Sequence, residues 1–120
     1  MAKTPRIKSP FVGRWRITWM DQWDQDVVDE EVEGFFEFET NGLGSFQFIY
    51  VRGCIDWRES THDDSPSIEF SWEGADECDP ASGRGWVRLS EEGIEGTIYF
   101  HRGDESAFRA APKTLKSPRS

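Results

Sequence analysis

Apolar and polar residues alternate with a period of two along most of residues 11–110, the repeat of strands that bury one face. The spacing predicts eight short strands. The first, 11–20, sets Gly13, Trp15, Ile17 and Trp19 on one face and Arg14, Arg16 and Thr18 on the other. The second, 31–40, alternates Glu31, Glu33, Glu37 and Glu39 with Val32, Gly34, Phe36 and Phe38, and Phe35 interrupts its polar row. Asn41-Gly42 predicts a tight hairpin with φ above zero at both residues. The third strand, 43–52, groups Phe46, Phe48 and Tyr50, and Gly53 marks a reversal. The fourth, 54–60, sets Ile55 and Trp57 against Cys54, Asp56 and Arg58. Thr61 to Pro66 is a turn by composition. The fifth, 67–73, sets Ile68, Phe70 and Trp72 against Ser67, Glu69, Ser71 and Glu73. Residues 74–83 read as a loop. The sixth, 84–90, carries Trp86, Val87 and Leu89; the seventh, 94–101, carries Ile94, Gly96, Ile98 and Phe100; the eighth, 106–110, carries Phe108.

Short turns between such strands predict antiparallel pairing of each with the next. Phe-rich edges would invite aggregation, and closure removes them. The expected fold class is therefore all-β: an eight-stranded up-and-down antiparallel barrel. A two-sheet β-sandwich is the alternative, since it shares the alternation. Only 21–31 departs from the pattern. This acidic linker has room for one helical turn and is placed to form a flap across a barrel mouth.

Composition sharpens this picture. Six Trp, nine Phe and two Tyr predict an aromatic core, each ring burying about 150–250 Å². Residues 1–10 and 111–120, rich in Pro, Lys, Ser and Thr, read as disordered basic tails around a single domain, 11–110. Residues 1–16 carry Lys3, Arg6, Lys8, Arg14 and Arg16 without an acid, and 109–120 carry Arg109, Lys113, Lys116 and Arg119 without one. Residues 17–108 hold all 23 acidic residues and only five Arg, a net of −18. Such a body repels nucleic acid and anionic membrane, so neither is expected as a partner. The N-terminus lacks the apolar stretch of a secretory signal and no run is long enough to span a bilayer. The expected compartment is the cytoplasm, where Cys54 and Cys78 would be thiols.

Phe11-Val12-Gly13-Arg14-Trp15 resembles the F-x-G-x-W signature of the calycins, the lipocalin, fatty-acid-binding and avidin type of small barrel. The resemblance implies an up-and-down barrel with Trp15 as the plug of one end and an Arg stacked on its ring. Arg109 is the implied partner, with Arg102 the alternative. The chain is also similar to a group of small bacterial proteins that carry W-D-Q-D and F-S-W-E-G segments, here Trp23-Asp24-Gln25-Asp26 and Phe70-Ser71-Trp72-Glu73-Gly74. That second resemblance implies no activity.

The candidate chemistries are thin. Asp21, Asp24, Asp26, Asp29 and Glu30 could offer oxygens to Ca²⁺, but the spacing is not that of an EF-hand loop and no Gly supplies its turn. Asp76, Glu77 and Asp79 are a poorer set. His62-Asp63-Asp64 could orient a base, yet it sits in a turn with no cleft. Asp63 and Asp104 are unremarkable members of an acidic chain. Ser82-Gly83-Arg84-Gly85 does not lead from a strand into a helix, which phosphate cradling requires. Cys54 and Cys78 fit no nucleophile or metal spacing. No metal, cofactor or catalytic residue is predicted.

Two non-enzymatic readings follow. In the first, a small apolar or aromatic ligand enters the barrel mouth beneath the 21–31 loop, between walls of Trp19, Tyr50, Trp57 and Trp72, with Tyr50 or His101 as the polar contact. In the second, the rings fill the barrel. Its acidic outside, with Phe35 and Trp86, then docks a basic protein partner or a second copy of the chain.

Overall fold

The computed structural model describes residues 9–62 and 65–113, the side chain of His62 excepted. Eight strands run in order: β1 (Gly13–Met20), β2 (Phe35–Phe38), β3 (Leu43–Phe48), β4 (Val51–His62), β5 (Ser65–Asp76), β6 (Asp79–Ser90), β7 (Gly93–Phe100) and β8 (Glu105–Pro112). One helical turn, α1 (Gln25–Val28), lies between β1 and β2. Each strand pairs antiparallel with the next and β8 returns to β1, which closes the barrel. The fold is thus the expected up-and-down barrel rather than the sandwich.

The period-two faces set this arrangement. Phe36, Phe38, Phe46, Phe48, Ile55, Phe70 and Trp72 point inward and are buried. Phe36 stands at the centre, its ring centroid 4.5 Å from that of Phe108, 5.4 Å from Phe46 and 6.1 Å from Phe70. Such ring pairs each add about 0.5–1.5 kcal/mol beyond the area they bury. Rings on one strand face small residues on the next. Phe70 and Trp72 of β5 lie opposite Gly85 and Gly83 of β6, and a Cβ at Gly85 would run into the Phe70 ring.

Several expectations are corrected. Trp19 does not join the inner face of β1. The pairing of β1 with β8 shifts register between Ile17 and Trp19, which turns Trp19 out to 41% exposure and Met20 in. Tyr50 does not close the inner row of β3. The chain turns at Ile49, whose φ is +57°, and Tyr50 is left exposed. The second strand starts at Phe35, so Val32 stays in the connection and exposed. Gly53 reverses nothing; it lies within β4, a twelve-residue strand. The 74–83 segment is no loop. β5 and β6 run through it to a turn at Glu77, where φ is +57°. Within β6 the inward positions are Gly83, Gly85 and Val87, while Trp86 faces outward and half-buried. At the β2–β3 hairpin only Gly42 has positive φ, +86°, and Asn41 instead accepts the Leu43 N–H on its side-chain oxygen. β8 continues to Pro112, two residues into the segment read as a tail. Residues 1–8 and 114–120 of the two expected tails lie outside the described residues.

Both barrel ends are closed by side chains. At the start of β1, Phe11 is buried and its carbonyl accepts the Trp15 indole N–H at 2.9 Å. Trp57, edge-on to Phe38, donates to the Leu43 carbonyl across the same end. At the other end α1 lies over the barrel, with Val28 fully buried. Trp23 there meets Phe48 and Phe100, at 5.6 and 6.5 Å between centroids.

Candidate functional site

The residues expected to line a pocket do not come together. Trp57 and Trp72 are buried core rings, Trp72 held at 5.0 Å from Phe46 and 5.3 Å from Phe100 and donating its indole N–H to the Tyr99 carbonyl. Trp19 is on the outer wall, and Tyr50 and His101 are exposed in turns at the α1 end. Trp15 is buried at the opposite end, as a plug would be, but its implied Arg partner is elsewhere. The Arg109 guanidinium lies 4.9 Å over Trp19, outside the barrel. Arg102 is exposed in the β7–β8 turn at φ +60°.

The most organised polar region is the connection from Asp21 to Glu33 around α1. It holds seven of the 23 acidic residues and no Lys or Arg. Asp29 pins it to the barrel. One carboxylate oxygen accepts the Gly34 N–H at 2.7 Å, and the other accepts Gln25 Nε2 at 3.0 Å and Arg16 Nη2 at 3.2 Å. Gln25 also donates to the Ile17 carbonyl, and the Val28 carbonyl accepts the Ile49 N–H. Asp21 Oδ1 accepts the Ser106 hydroxyl and the Ala107 N–H, which fastens the far end of β1 to β8. Glu33 faces Lys113 Nζ at 2.7 Å. It also lies 2.8 Å from Arg16 Nε, a charge contact too poorly aligned for a hydrogen bond. Hydrogen bonding to the Lys113 ammonium chiefly holds the Glu33 carboxyl below its ordinary range, against the opposing effect of burial, and the positive charges of Lys113 and Arg16 add to the lowering.

What remains unspent is a surface. The side chains of Asp24, Asp26 and Glu30 make no ion pair or hydrogen bond among the described residues. Val27, Val32 and Tyr50, exposed by 37–41%, lie at the same end of the barrel. The β5–β6 turn adds Asp76, Glu77 and Asp79 at the same end. Among the described residues no three His, Cys, Asp or Glu side chains gather closely enough to hold a metal ion.

The sequence readings missed this cap as a unit: Trp23, Gln25, Val28 and Asp29 act together. The only local signal was the four-residue spacing of Gln25 and Asp29, which puts them on one side of a helical turn. Of the other candidates, Cys54 is exposed on β4. It lies two strands from Ser82, whose carbonyl accepts the His101 N–H. Two strand spacings are about 10 Å, so Cys54 and His101 form no dyad. Asp63 and Asp64 fall outside the described residues. Among those described, no helix is long and apolar enough to cross a membrane. No family model, no curated protein and no solved structure matches this chain.

Proposed function

We propose that this barrel is a non-enzymatic interaction module that docks a basic, apolar-tipped protein segment at its α1 end. The observation that carries the reading is the cation-free stretch 21–33. Asp29 hydrogen-bonds it to the barrel, and it presents Asp24, Asp26 and Glu30, unpaired among the described residues, together with exposed Val27 and Val32. A fixed acidic rim around apolar tips attracts a Lys- or Arg-bearing segment and speeds its arrival in a salt-dependent way. The alternative, a small ligand at the barrel mouth beneath the 21–31 loop, requires Trp23 to leave Phe48 and Phe100, whose ring centroids stand 5.6 and 6.5 Å from its own. We also read the architecture as calycin-like, supported by the eight-strand meander and by Trp15 buried at the start of β1.

The test uses a short helical peptide of alternating Lys and Leu faces as probe, followed by amide chemical shifts. Shifts should cluster on residues 21–33 and around Tyr50, and affinity should fall with salt. Replacing Asp24, Asp26 and Glu30 by their amides should weaken binding, while the same change at Glu91 and Glu92, on the other end, should not. Equal weakening by both variants, or shifts spread over the whole barrel, overturns the proposal.

A further inference from the structure

Asn41 is the only asparagine in the chain, and it stands before Gly42 at the tip of the β2–β3 hairpin. Asn41 is exposed, and Gly42 is half-buried with a φ of +86°. Three hydrogen bonds shape the turn. The Glu39 N–H donates to the Leu43 carbonyl at 2.8 Å, and the Gly42 N–H donates to the Glu39 carbonyl at 3.2 Å. The Leu43 N–H donates to Asn41 Oδ1 at 3.0 Å. That last bond folds the Asn41 side chain back along its own main chain. It brings the side-chain carbonyl carbon, Cγ, towards the peptide nitrogen that lies between, Gly42 N. Five atoms, from Cγ through Cβ, Cα and the carbonyl carbon of Asn41 to Gly42 N, are then one bond short of a ring.

Closing that ring is favoured by two features of the turn. Gly42 has no side chain to shield its nitrogen. The Leu43 N–H already bonds the oxygen on which negative charge develops as the nitrogen adds to Cγ, and a donor fixed at such a place lowers the barrier. The opposing contact, from the Gly42 N–H to the Glu39 carbonyl, is at the long end of N–H···O distances. We propose that Asn41 is a site of spontaneous deamidation in the folded barrel. Hydroxide removes the Gly42 N–H proton and Gly42 N bonds to Cγ. The Cγ–Nδ2 bond breaks and the nitrogen leaves as ammonia, taking its proton from water. Water then opens the five-membered imide. Addition at Cγ gives aspartate; addition at the main-chain carbonyl carbon gives isoaspartate, in which the chain continues through Cγ. In sum an amide and water become a carboxylate and ammonium. Isoaspartate adds one carbon to the main chain inside the turn. The turn's contacts with β4 then misalign: the Trp57 N–H donates to the Gly42 carbonyl and Trp57 Nε1–H to the Leu43 carbonyl, each at 2.9 Å. Deamidation thus loosens the Trp57 closure at the end away from α1, independently of the docking proposed there.

The test ages the purified chain in warm, mildly alkaline buffer, folded and, in parallel, unfolded in guanidinium chloride. Peptide mass spectrometry follows the gain of ~1 Da on the peptide that holds Asn41, and electron-transfer fragmentation separates aspartate from isoaspartate. The folded chain should react within about tenfold of the unfolded rate, the two barriers differing by no more than ~1.4 kcal/mol, and isoaspartate should be the main product. Amide exchange at residues 40–44 and 57 should quicken in the aged chain. Asn41→Asp keeps an acceptor for the Leu43 N–H and an ordinary main chain, so it should leave that exchange unchanged. Gly42→Ala sets a methyl group beside the attacking nitrogen and should slow the folded reaction at least about tenfold. Alanine at positive φ costs stability, so near-ultraviolet circular dichroism checks that this variant is folded. The comparison of folded with unfolded parent chain stands whether or not it is. A folded parent that reacts more than about tenfold slower than the unfolded one refutes the proposal. So does aspartate as the sole product, a folded Gly42→Ala chain that reacts at the parent rate, or an Asn41→Asp chain whose exchange is as fast as that of the aged parent.

Discussion

Gly53→Ala adds one methyl group where the barrel interior is most crowded. A Cβ there would stand 2.8 Å from Phe46 Cε2, 2.8 Å from Trp72 Cε3 and 2.9 Å from Phe46 Cζ, well inside the distance at which carbon atoms attract. The backbone at Gly53 has no positive φ, so alanine itself fits the strand and the experiment reads packing alone. Neither ring has a free direction in which to yield. Phe46 and Trp72 are 1% and 3% exposed and set edge to face, and Phe46 is backed by Phe36 and Phe48. Overpacking of this kind costs about 1–3 kcal/mol. A loss of about 2 kcal/mol lowers Tm by roughly 8 °C in a domain of this size. It lowers the urea midpoint by about 1 M at an m-value near 2 kcal/mol/M. Phe46→Leu alone should also destabilise, by about 1–2 kcal/mol, but the double variant should lose at least ~1 kcal/mol less than the sum, because the smaller side chain makes room for the methyl. Urea titrations of the four chains by tryptophan fluorescence complete the cycle. If Gly53→Ala is within ~0.5 kcal/mol of the parent and the two changes simply add, the interior has spare room. The argument for a filled barrel then fails.

Three further outcomes are expected. Asp29→Ala removes the acceptor shared by Gly34, Gln25 and Arg16; it should cost about 1–2 kcal/mol and raise amide hydrogen exchange across residues 25–34 while β4–β6 stay protected. Trp15→Phe leaves the buried Phe11 carbonyl without its donor and should cost about 1–3 kcal/mol by thermal denaturation, whereas an indole whose only role is bulk would lose less. Glu33, held below its ordinary value of 4.5 by Lys113 first and Arg16 next, contributes stability that is fully present above pH 4.5 and is lost as pH falls through the lowered folded value. The group is half-exposed, so the contribution is only about 0.5 kcal/mol. Glu33→Gln should flatten the stability profile between neutral pH and pH 3 by that amount, and 0.5 M salt should erase the difference; an unchanged profile would remove the ion pair from the account.

The alternation around Phe36, Phe38, Phe46, Phe48, Phe70 and Trp72 was legible because a strand that buries one face must repeat every second residue. It failed where parity changes without a residue signature. The shift between Ile17 and Trp19 reverses the last residues of β1, yet Ile17-Thr18-Trp19 is a plain strand sequence. The turn at Ile49 lacks Gly, Asn and Pro, and it puts a β-branched residue at positive φ, which propensity argues against. Gly83 of β6 read as loop and Gly85 as the start of a strand, since glycine is a poor strand former. They are there because Phe70 and Trp72 need the space, a tertiary cause that no local window contains. The helical turn in 21–31 was visible from its composition and position, but its fastening by Asp29 depends on Arg16 and Gly34. The Arg–Trp pair shows the limit of a short motif: it brought Arg109 to a tryptophan, but to Trp19 rather than Trp15.

The seam that joins β1 to β8 makes synthesis the vulnerable moment for this chain. Thr18 and Arg109, which bond across it, are 91 residues apart. At a translation rate of about 5–20 residues per second, the opening strand waits roughly 5–20 s for its second neighbour. Until then a partial sheet ends in two unpaired borders, with Trp15 and Ile17 uncovered and ready to stick to other nascent chains. Damage to β8, such as loss of Phe108, therefore registers first in the yield of folded protein from the cell and only later in the melting curve of the molecules that escape.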